Sequence, residues 1–193
     1  MFSILDLFFY TLIFLSVYVQ IFFLITFLEN RKKIIIREGV MKLERYPAVT
    51  IAVPCWNEET TVYKTVRSLL ALNYPKDKLK IFLIDDGSTD GTYRVIKKFE
   101  KYSNITVFHK ENGGGKHSAL NFALSKLETE FFSCLDADSF ADSESLARIM
   151  SYFALDPLVM AVAPSVTVNS SGSSPGNVIQ GAQQAEYHMG VYT

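Results

Sequence analysis

A regular alternation of short apolar runs with helical periodicity constrains this chain most strongly, and it begins at Val49. The apolar runs predict strands at 49–53 (ended by Pro54), 81–84, 105–108, 131–135 and 159–168. Apolar residues three or four positions apart predict helices at 62–70, 93–102, 120–127 and 146–153. Because strands that alternate with helices pair in parallel, the sequence predicts an α/β domain with a mostly parallel sheet between helix layers.

The N-terminal segment differs from the rest, because residues 7–28 carry no charge. As a helix, a run of this length spans about 33 Å, enough to cross a hydrocarbon core of about 30 Å. Basic residues follow the run and no small-residue cleavage site does, which favours a retained membrane helix over a signal peptide. A buried core helix is the other alternative. The basic excess of residues 29–45 predicts a cytoplasmic flank, with the N-terminus outside the plasma or inner membrane.

These patterns divide the chain into four segments. We expect a transmembrane helix at 1–30, a basic juxtamembrane segment at 31–47, a ligand-binding domain at 48–168, and a flexible loop leading into a helix at 169–193. The chain has 19 Lys and Arg against 20 Asp and Glu, which argues against a nucleic-acid binder. Its two cysteines, Cys55 and Cys134, lie in apolar segments without metal-ligand spacing, so we expect reduced core thiols.

Polar residues follow three of the predicted strands. They are Asn57-Glu58-Glu59, Asp85-Asp86 and Asp136-Ala137-Asp138. In an open parallel sheet, ligands bind beyond the carboxyl ends of the strands, so these residues are candidates for one site. Trp56 follows the first strand and either stacks on a base or packs in the fold. The three histidines are scattered and predict no site.

The segment from Asp85 to Gly91 has two readings. Glycine and aspartate there are typical of a tight turn and a helix cap. A calcium loop is excluded because Lys97 stands at its twelfth position, where a glutamate is needed. Two adjacent carboxylates exceed what a cap requires, and one could accept a hydrogen bond from a base or a ribose.

The glycine cluster ending at Lys116 resembles a phosphate loop without matching one. Lys110 and His117 break the Walker pattern, and Ser118 breaks the dinucleotide fingerprint. A flexible turn with an exposed lysine is one interpretation. The other is that backbone amides and Lys116 approach a diphosphate beside a helix N-terminus.

The Asp-x-Asp pair of Asp136 and Asp138 indicates metal chemistry. Carboxylates two positions apart on an extended strand point to the same side. Two hard oxygen ligands suit Mg²⁺ or Mn²⁺, with the phosphates of a ligand completing the coordination. A helix cap is the alternative, but one aspartate would be enough for it.

Taken together, the chain resembles the inverting family-2 glycosyltransferases with the GT-A fold, and in particular the membrane-bound synthases of poly-N-acetylglucosamine, hyaluronan, chitin and cellulose. The resemblance rests on four stretches in the family order: "IAVPCWNEE", "SLLALNYPKDKLKIFLIDDGSTDGT", "NGGGKHSALNFAL" and "FFSCLDADSF". The segment "IQGAQQAEY" and the N-terminal apolar helix resemble the synthases as well.

The resemblance implies a role for each matching residue. A nucleotide sugar, typically UDP-linked, would lie along Pro54, Asn57, Glu58, Asp85, Asp86, Lys116 and Asp136, and Asp138 with Asp136 would bind Mg²⁺ or Mn²⁺. The implied reaction transfers the sugar to a glycan or lipid acceptor with inversion. The family's Thr-Glu-Asp or Glu-Asp motif, which holds the catalytic base, and its Q-x-x-R-W acceptor motif do not occur in the sequence.

We therefore expect the donor-binding half of a glycosyltransferase that is inactive alone and whose catalytic base lies downstream of Thr193. A non-catalytic, membrane-tethered module that binds nucleotide sugars is the alternative. A nucleotidyltransferase fits less well, because the first strand is followed by Cys55-Trp56-Asn57-Glu58 rather than a glycine-rich loop.

Overall fold

The computed structural model describes residues 3–34, 43–111 and 114–164. The segment from 165 to 193, which holds the predicted terminal loop and helix, lies outside the described residues, as do 35–42 of the basic flank. The chain divides into two units. The first unit holds the N-terminal helix, and the second unit comprises Val40–Val162.

The N-terminal helix, α1, runs from Ile4 to Ile34. Its segment Ile4–Thr26 is long and apolar enough to cross a membrane. Its apolar side chains are exposed, as expected of a helix that contacts lipid, but a signal sequence would satisfy the same criteria of length and composition.

The second unit alternates strands and helices as the sequence predicts. Its strands are β1 (Val49–Cys55), β2 (Leu79–Asp86), β3 (Ile105–Lys110) and β4 (Phe131–Cys134). Its helices are α2 (Val62–Leu70), α3 (Thr92–Lys97), α4 (Lys116–Ser125) and α5 (Ser145–Leu155). All paired strands are parallel, in the order β3-β2-β1-β4, which confirms the predicted fold class.

The register puts alternate residues of the central strands on opposite faces of the sheet. Val53 pairs with Leu83 on one face, and Ala52 pairs with Phe82 on the other. The first face packs against the apolar sides of α2, α3 and α5 and forms the larger core. The second face packs against Ala119 and Ala123 of α4, whose small side chains let that helix lie close to the sheet.

β1 continues through Pro54, where the sequence predicted an end. The carbonyls of Ala48 and Ala52 accept bonds from β4, so even-numbered residues of β1 direct their backbone groups toward that strand. Pro54 has the same parity and lies beyond the last residue of β1 that pairs with β4. Its missing N–H therefore costs no ladder hydrogen bond.

Three other expectations need correction. Helix α3 ends at Lys97, and the chain to Tyr102 continues in turns with bonds between residues three apart. Residues 159–164 form no strand, and the rest of that predicted strand lies outside the described residues. Cys134 is exposed on the edge strand β4, whereas Cys55 is buried as predicted, and both are free thiols.

Candidate functional site

A cleft of about 520 Å³ lies at the carboxyl ends of the strands, beside the N-terminus of α4. Parallel strands end at the same edge of a sheet, so residues distant in the sequence meet there. The lining consists of Pro54, Cys55, Trp56, Glu58, Asp86, Gly114, Gly115, Lys116, Ala119, Asp136, Ala137 and Asp138. It therefore contains the predicted site residues Pro54, Glu58, Asp86, Lys116, Asp136 and Asp138.

The adjacent carboxylates of Asp85 and Asp86 point in opposite directions, because side chains alternate along β2. Asp86 lines the cleft, on the face of the sheet that α4 covers. Asp85 is fully buried, and its Oδ2 lies 2.6 Å from His109 Nδ1. Its Oδ1 accepts a bond from the Ser88 amide at 3.3 Å. Asp85 thus fixes the loop after β2, and its predicted nucleotide contact stays a prediction.

Asn57 also lies outside the lining and joins two loops. Its side-chain oxygen accepts bonds from the amide of Thr89 at 2.8 Å and from its hydroxyl at 3.2 Å. The backbone N–H of Asn57 donates to Ser88 Oγ at 3.0 Å. The backbone of Asn57 is left-handed, with φ of 56°, a conformation that asparagine tolerates better than most residues. Asn57 therefore holds the β1–α2 loop against the β2–α3 loop.

Further hydrogen bonds join the same two loops near Thr92. The Glu58 amide donates to Thr92 Oγ1 at 2.7 Å, and the Glu59 amide donates to Asp90 Oδ2 at 3.2 Å. Burial opposes the ionised form of Asp90, but bonds from Thr92 and Glu59 outweigh it and lower the pKa of Asp90. These bonds position Glu58 at the rim of the cleft.

Lys116 begins α4 and pairs with Asp136 across the cleft. The hydrogen bond that Lys116 donates to the Asp136 carboxylate raises the pKa of Lys116, so its ammonium stays charged at neutral pH. Gly114 and Gly115 precede it with φ of 93° and 127°, a region that favours glycine. The glycine cluster therefore serves first to turn the chain and bring Lys116 to the carboxylates.

Comparison with known proteins decides the family. The family described as "Glycosyl transferase family 2" matches residues 50–188. The chain belongs to this family. It is 30% identical over 135 residues to the poly-β-1,6-N-acetyl-D-glucosamine synthase of Staphylococcus epidermidis, covering 70% of this chain and 32% of that protein. The synthase of Staphylococcus aureus (strain COL) is 28% identical over 138 residues, covering 72% of this chain and 33% of that protein. The chain thus spans about a third of the length of these curated relatives.

Solved glycosyltransferases share the fold. The mannosyltransferase PcManGT from Pyrobaculum calidifontis, solved with GDP-Man and Mn²⁺, superposes with a TM-score of 0.56 at 30% identity, covering 60% of this chain and 34% of that one. TarS 1-349 of S. aureus, solved with UDP-GlcNAc, has a TM-score of 0.54 at 24% identity, covering 63% of this chain and 38% of that one. The GT-A architecture expected from the resemblance is confirmed.

In this family-2 chain, a metal ion would need a bound phosphate to supply some of its ligands. The described residues contain no group of three or more His, Cys, Asp or Glu side chains placed to hold a metal ion. Asp136 and Asp138 nevertheless present two exposed carboxylates to one cleft. Mg²⁺ is commonly held by one or two carboxylates together with substrate phosphates. The donor set therefore fits a divalent ion that binds with a nucleotide.

Sequence reasoning missed Lys110, which ends β3 and pairs with Asp86. A single lysine in a strand carries no motif signal, and only the pairing of β2 with β3 brings it beside Asp86. The register Asp86↔Lys110 could have suggested the contact once the strand order was known.

Proposed function

We propose that this chain is the donor-binding part of a membrane-anchored glycosyltransferase that uses a nucleotide sugar, and specifically a UDP-sugar. The observation that carries the proposal is the cleft, which gathers residues from all four family-like motifs at one sheet edge. Membership of glycosyl transferase family 2 and relatives named as polysaccharide synthases support it. The segment 48–168 is the proposed nucleotide-sugar-binding domain.

The nucleoside end of the donor would lie along β1 and β2. Asp86 offers a carboxylate to a nucleobase N–H, and Trp56, which is 56% exposed, offers an aromatic surface for stacking. Pro54 provides a rigid apolar wall. Asn57 and Asp85 act indirectly in this arrangement, because they hold the loops that shape the cleft.

The diphosphate would lie between Lys116 and the Asp136–Asp138 pair. Lys116 supplies a positive charge, and the first turn of α4 supplies backbone N–H groups. Asp138, with Asp136, would hold Mg²⁺ or Mn²⁺, which neutralises charge on a departing nucleoside diphosphate. Asp136 pairs with Lys116 in this structure, so binding an ion through Asp136 would require that pair to rearrange.

We propose inversion at the anomeric carbon, with a glycan or a lipid as the acceptor. Three carboxylates of the cleft have partners in the protein, since Asp86 pairs with Lys110, Asp136 pairs with Lys116 and Glu58 accepts from Thr61, and the fourth, Asp138, is proposed to bind the metal ion. A general base must be within reach of the acceptor hydroxyl. We therefore assign the base to a residue outside the described cleft and expect no sugar transfer by this chain alone.

We also propose that α1 is a retained anchor with the N-terminus outside and the transferase domain in the cytoplasm. The length and apolar surface of α1 support the anchor, and the basic residues at 31–37 support the orientation. This placement puts the donor cleft on the side of the membrane that holds nucleotide sugars.

Isothermal titration of the full chain in detergent with UDP and Mn²⁺ tests the proposal. We expect saturable binding that EDTA abolishes or weakens. Titration with inorganic phosphate in place of UDP controls for unspecific anion binding. The absence of UDP and GDP binding with any divalent ion would contradict the donor-site proposal. Binding without transfer, even by the complete natural protein, would favour the non-catalytic binding module.

A further inference from the structure

Lys110 acts on the cleft through Asp86. Its Nζ pairs with Asp86 Oδ1 and also donates to the Glu111 carbonyl at 3.0 Å and to Ser118 Oγ at 3.1 Å. The side chains of Lys110 and Asp86 are 19% and 4% exposed. Asp86 lines the cleft, whereas Lys110 is not among the described residues that do. A ligand in the cleft therefore meets the carboxylate of Asp86 with the ammonium already beside one of its oxygens.

The position of this ammonium is well defined. A lysine has three N–H donors, and each of them has an acceptor here: a carboxylate, a backbone carbonyl and a hydroxyl. Two of these acceptors, the Glu111 carbonyl and Ser118 Oγ, belong to residues other than Asp86, so they can hold the ammonium independently of that carboxylate. Breaking a buried ion pair by removing one partner is strongly unfavourable, so a ligand is not expected to displace the lysine.

We propose that Lys110 is a specificity-determining residue that makes this cleft prefer uracil over guanine. The inference rests on the proposed function, in which Asp86 accepts a hydrogen bond from the nucleobase. Guanine presents two neighbouring groups of N–H donors, at N1 and N2, which are best received by both oxygens of a carboxylate. The ammonium at Oδ1 occupies one of those oxygens and places positive charge where guanine directs its second donor.

Uracil fits the same arrangement better. Its single N–H lies between two carbonyl groups, so it needs one carboxylate oxygen as the acceptor. A neighbouring carbonyl oxygen of uracil then lies toward Oδ1, where the positive charge of Lys110 attracts it. Guanine also has a carbonyl, O6, beside N1, but turning O6 toward the ammonium points its N2 group away from Asp86. Lys110 therefore costs guanine one of its two contacts with Asp86 and costs uracil none.

The test compares UDP and GDP as ligands of the full chain in detergent, by calorimetry with Mn²⁺. We expect the wild-type chain to bind UDP at least about tenfold more tightly than GDP. The variant Lys110→Met keeps an unbranched side chain but removes the charge, and it should reduce this preference about fivefold or more. If a substitution only lowers the folded fraction of the protein, binding of UDP and of GDP falls equally. The ratio of their two dissociation constants therefore changes only when nucleotide specificity changes.

Two further variants make the comparison decisive. Lys80→Met removes another paired lysine, which contacts Glu128 at 2.6 Å away from the cleft, and should leave the ratio unchanged. Ser118→Ala removes one anchor of the ammonium and should lower the preference in the same direction but by less. If circular dichroism shows Lys110→Met to be unfolded, the Ser118→Ala ratio decides.

The outcomes separate this inference from the function on which it rests. If the wild-type chain binds neither nucleotide, the proposed donor site fails and the inference with it. If it binds UDP but does not discriminate against GDP, or if the preference survives in both Lys110→Met and Ser118→Ala, the role of Lys110 is overturned while the donor site stands.

Discussion

Lys116 and Asp136 form an ion pair at the surface of the cleft. Both side chains are 53% exposed, so the pair contributes little to stability and can rearrange when a ligand enters. In the proposed donor complex, a nucleotide diphosphate would compete for Lys116 and a divalent ion would compete for Asp136. Asp138 makes a weaker contact, accepting from Ser139 Oγ at 3.3 Å. The two aspartates therefore contribute differently to metal-dependent binding.

Replacing Asp138 by alanine should weaken UDP binding in Mn²⁺ by about 1–3 kcal/mol, as expected for the loss of a charged ligand. Calorimetry with and without the metal measures the effect, and only the metal-dependent part should change. Asp77→Ala, an exposed aspartate in the turn before β2, is the matched control. Equal losses in Asp138→Ala with Mn²⁺ and with EDTA would argue against a metal role for Asp138.

The two cysteines should differ in reactivity. Burial raises the pKa of Cys55 to about 12, and the charges of Asp85 and Glu58 act in the same direction. Cys134 is exposed, and although desolvation raises the pKa of its thiol, Lys116 opposes this shift. N-ethylmaleimide should therefore add one label to the native chain, at Cys134, and two after denaturation, as measured by mass spectrometry. Labelling of Cys55 in the native chain would mean that this edge of the core opens readily.

At the scale of elements, the end of β2 shows which features a sequence pattern can predict and which it cannot. The apolar run predicts the strand and places Asp85 and Asp86 at its end, and the alternation of side chains implies that only one of them faces a given side. Which one faces the cleft depends on where α4 packs, and this is a tertiary property. Lys110 was missed for the same reason, because its role arises from strand pairing and not from neighbours in the sequence.

The ends of elements were the least predictable features. β1 passes through Pro54 because its partner β4 has already ended, so a proline that usually stops a strand does no harm here. Helix α3 is shorter than its apolar periodicity predicts, yet Phe99 beyond its end is still buried in turns. Periodicity reports which side chains are buried, and it does not distinguish a helix from a series of turns with similar spacing.

The link between the β1–α2 and β2–α3 loops should contribute measurably to stability. Thr92 is buried, and its hydroxyl accepts the Glu58 amide at 2.7 Å. Thr92→Val keeps the shape but leaves that amide without its partner, and should lower the free energy of unfolding by about 1–3 kcal/mol. Thr106→Val, at an exposed position of β3, is the control and should change stability far less. Urea denaturation measures both, and equal effects would show that the hydroxyl of Thr92 is not a specific link.

At the scale of the whole molecule, basic and acidic residues are concentrated in different places although the net charge is nearly zero. Basic residues follow the uncharged apolar run of residues 7–28 in the sequence, and the carboxylates of the cleft lie at the strand ends. Composition alone argues against a nucleic-acid binder, but it could not reveal this separation. The first pattern suggests attachment to a membrane, and the second suggests binding of a metal-associated nucleotide.

The proposed anchor leads to a direct test of the whole chain. When the chain is expressed in bacteria, the 21.8 kDa product should remain in the membrane pellet after extraction with alkaline carbonate, as the proposal of a retained, membrane-spanning α1 requires. Placing lysines at Leu15 and Phe22 should release the chain, since each charge near the helix centre costs about 2.5–3.5 kcal/mol on insertion scales. Placing lysines instead at Leu155 and Leu158, which are exposed in the second unit, controls for general effects of added charge and should not increase release. A mature product that lacks the apolar segment would identify α1 as a signal sequence instead, and release of the unmodified chain by carbonate would contradict a membrane span.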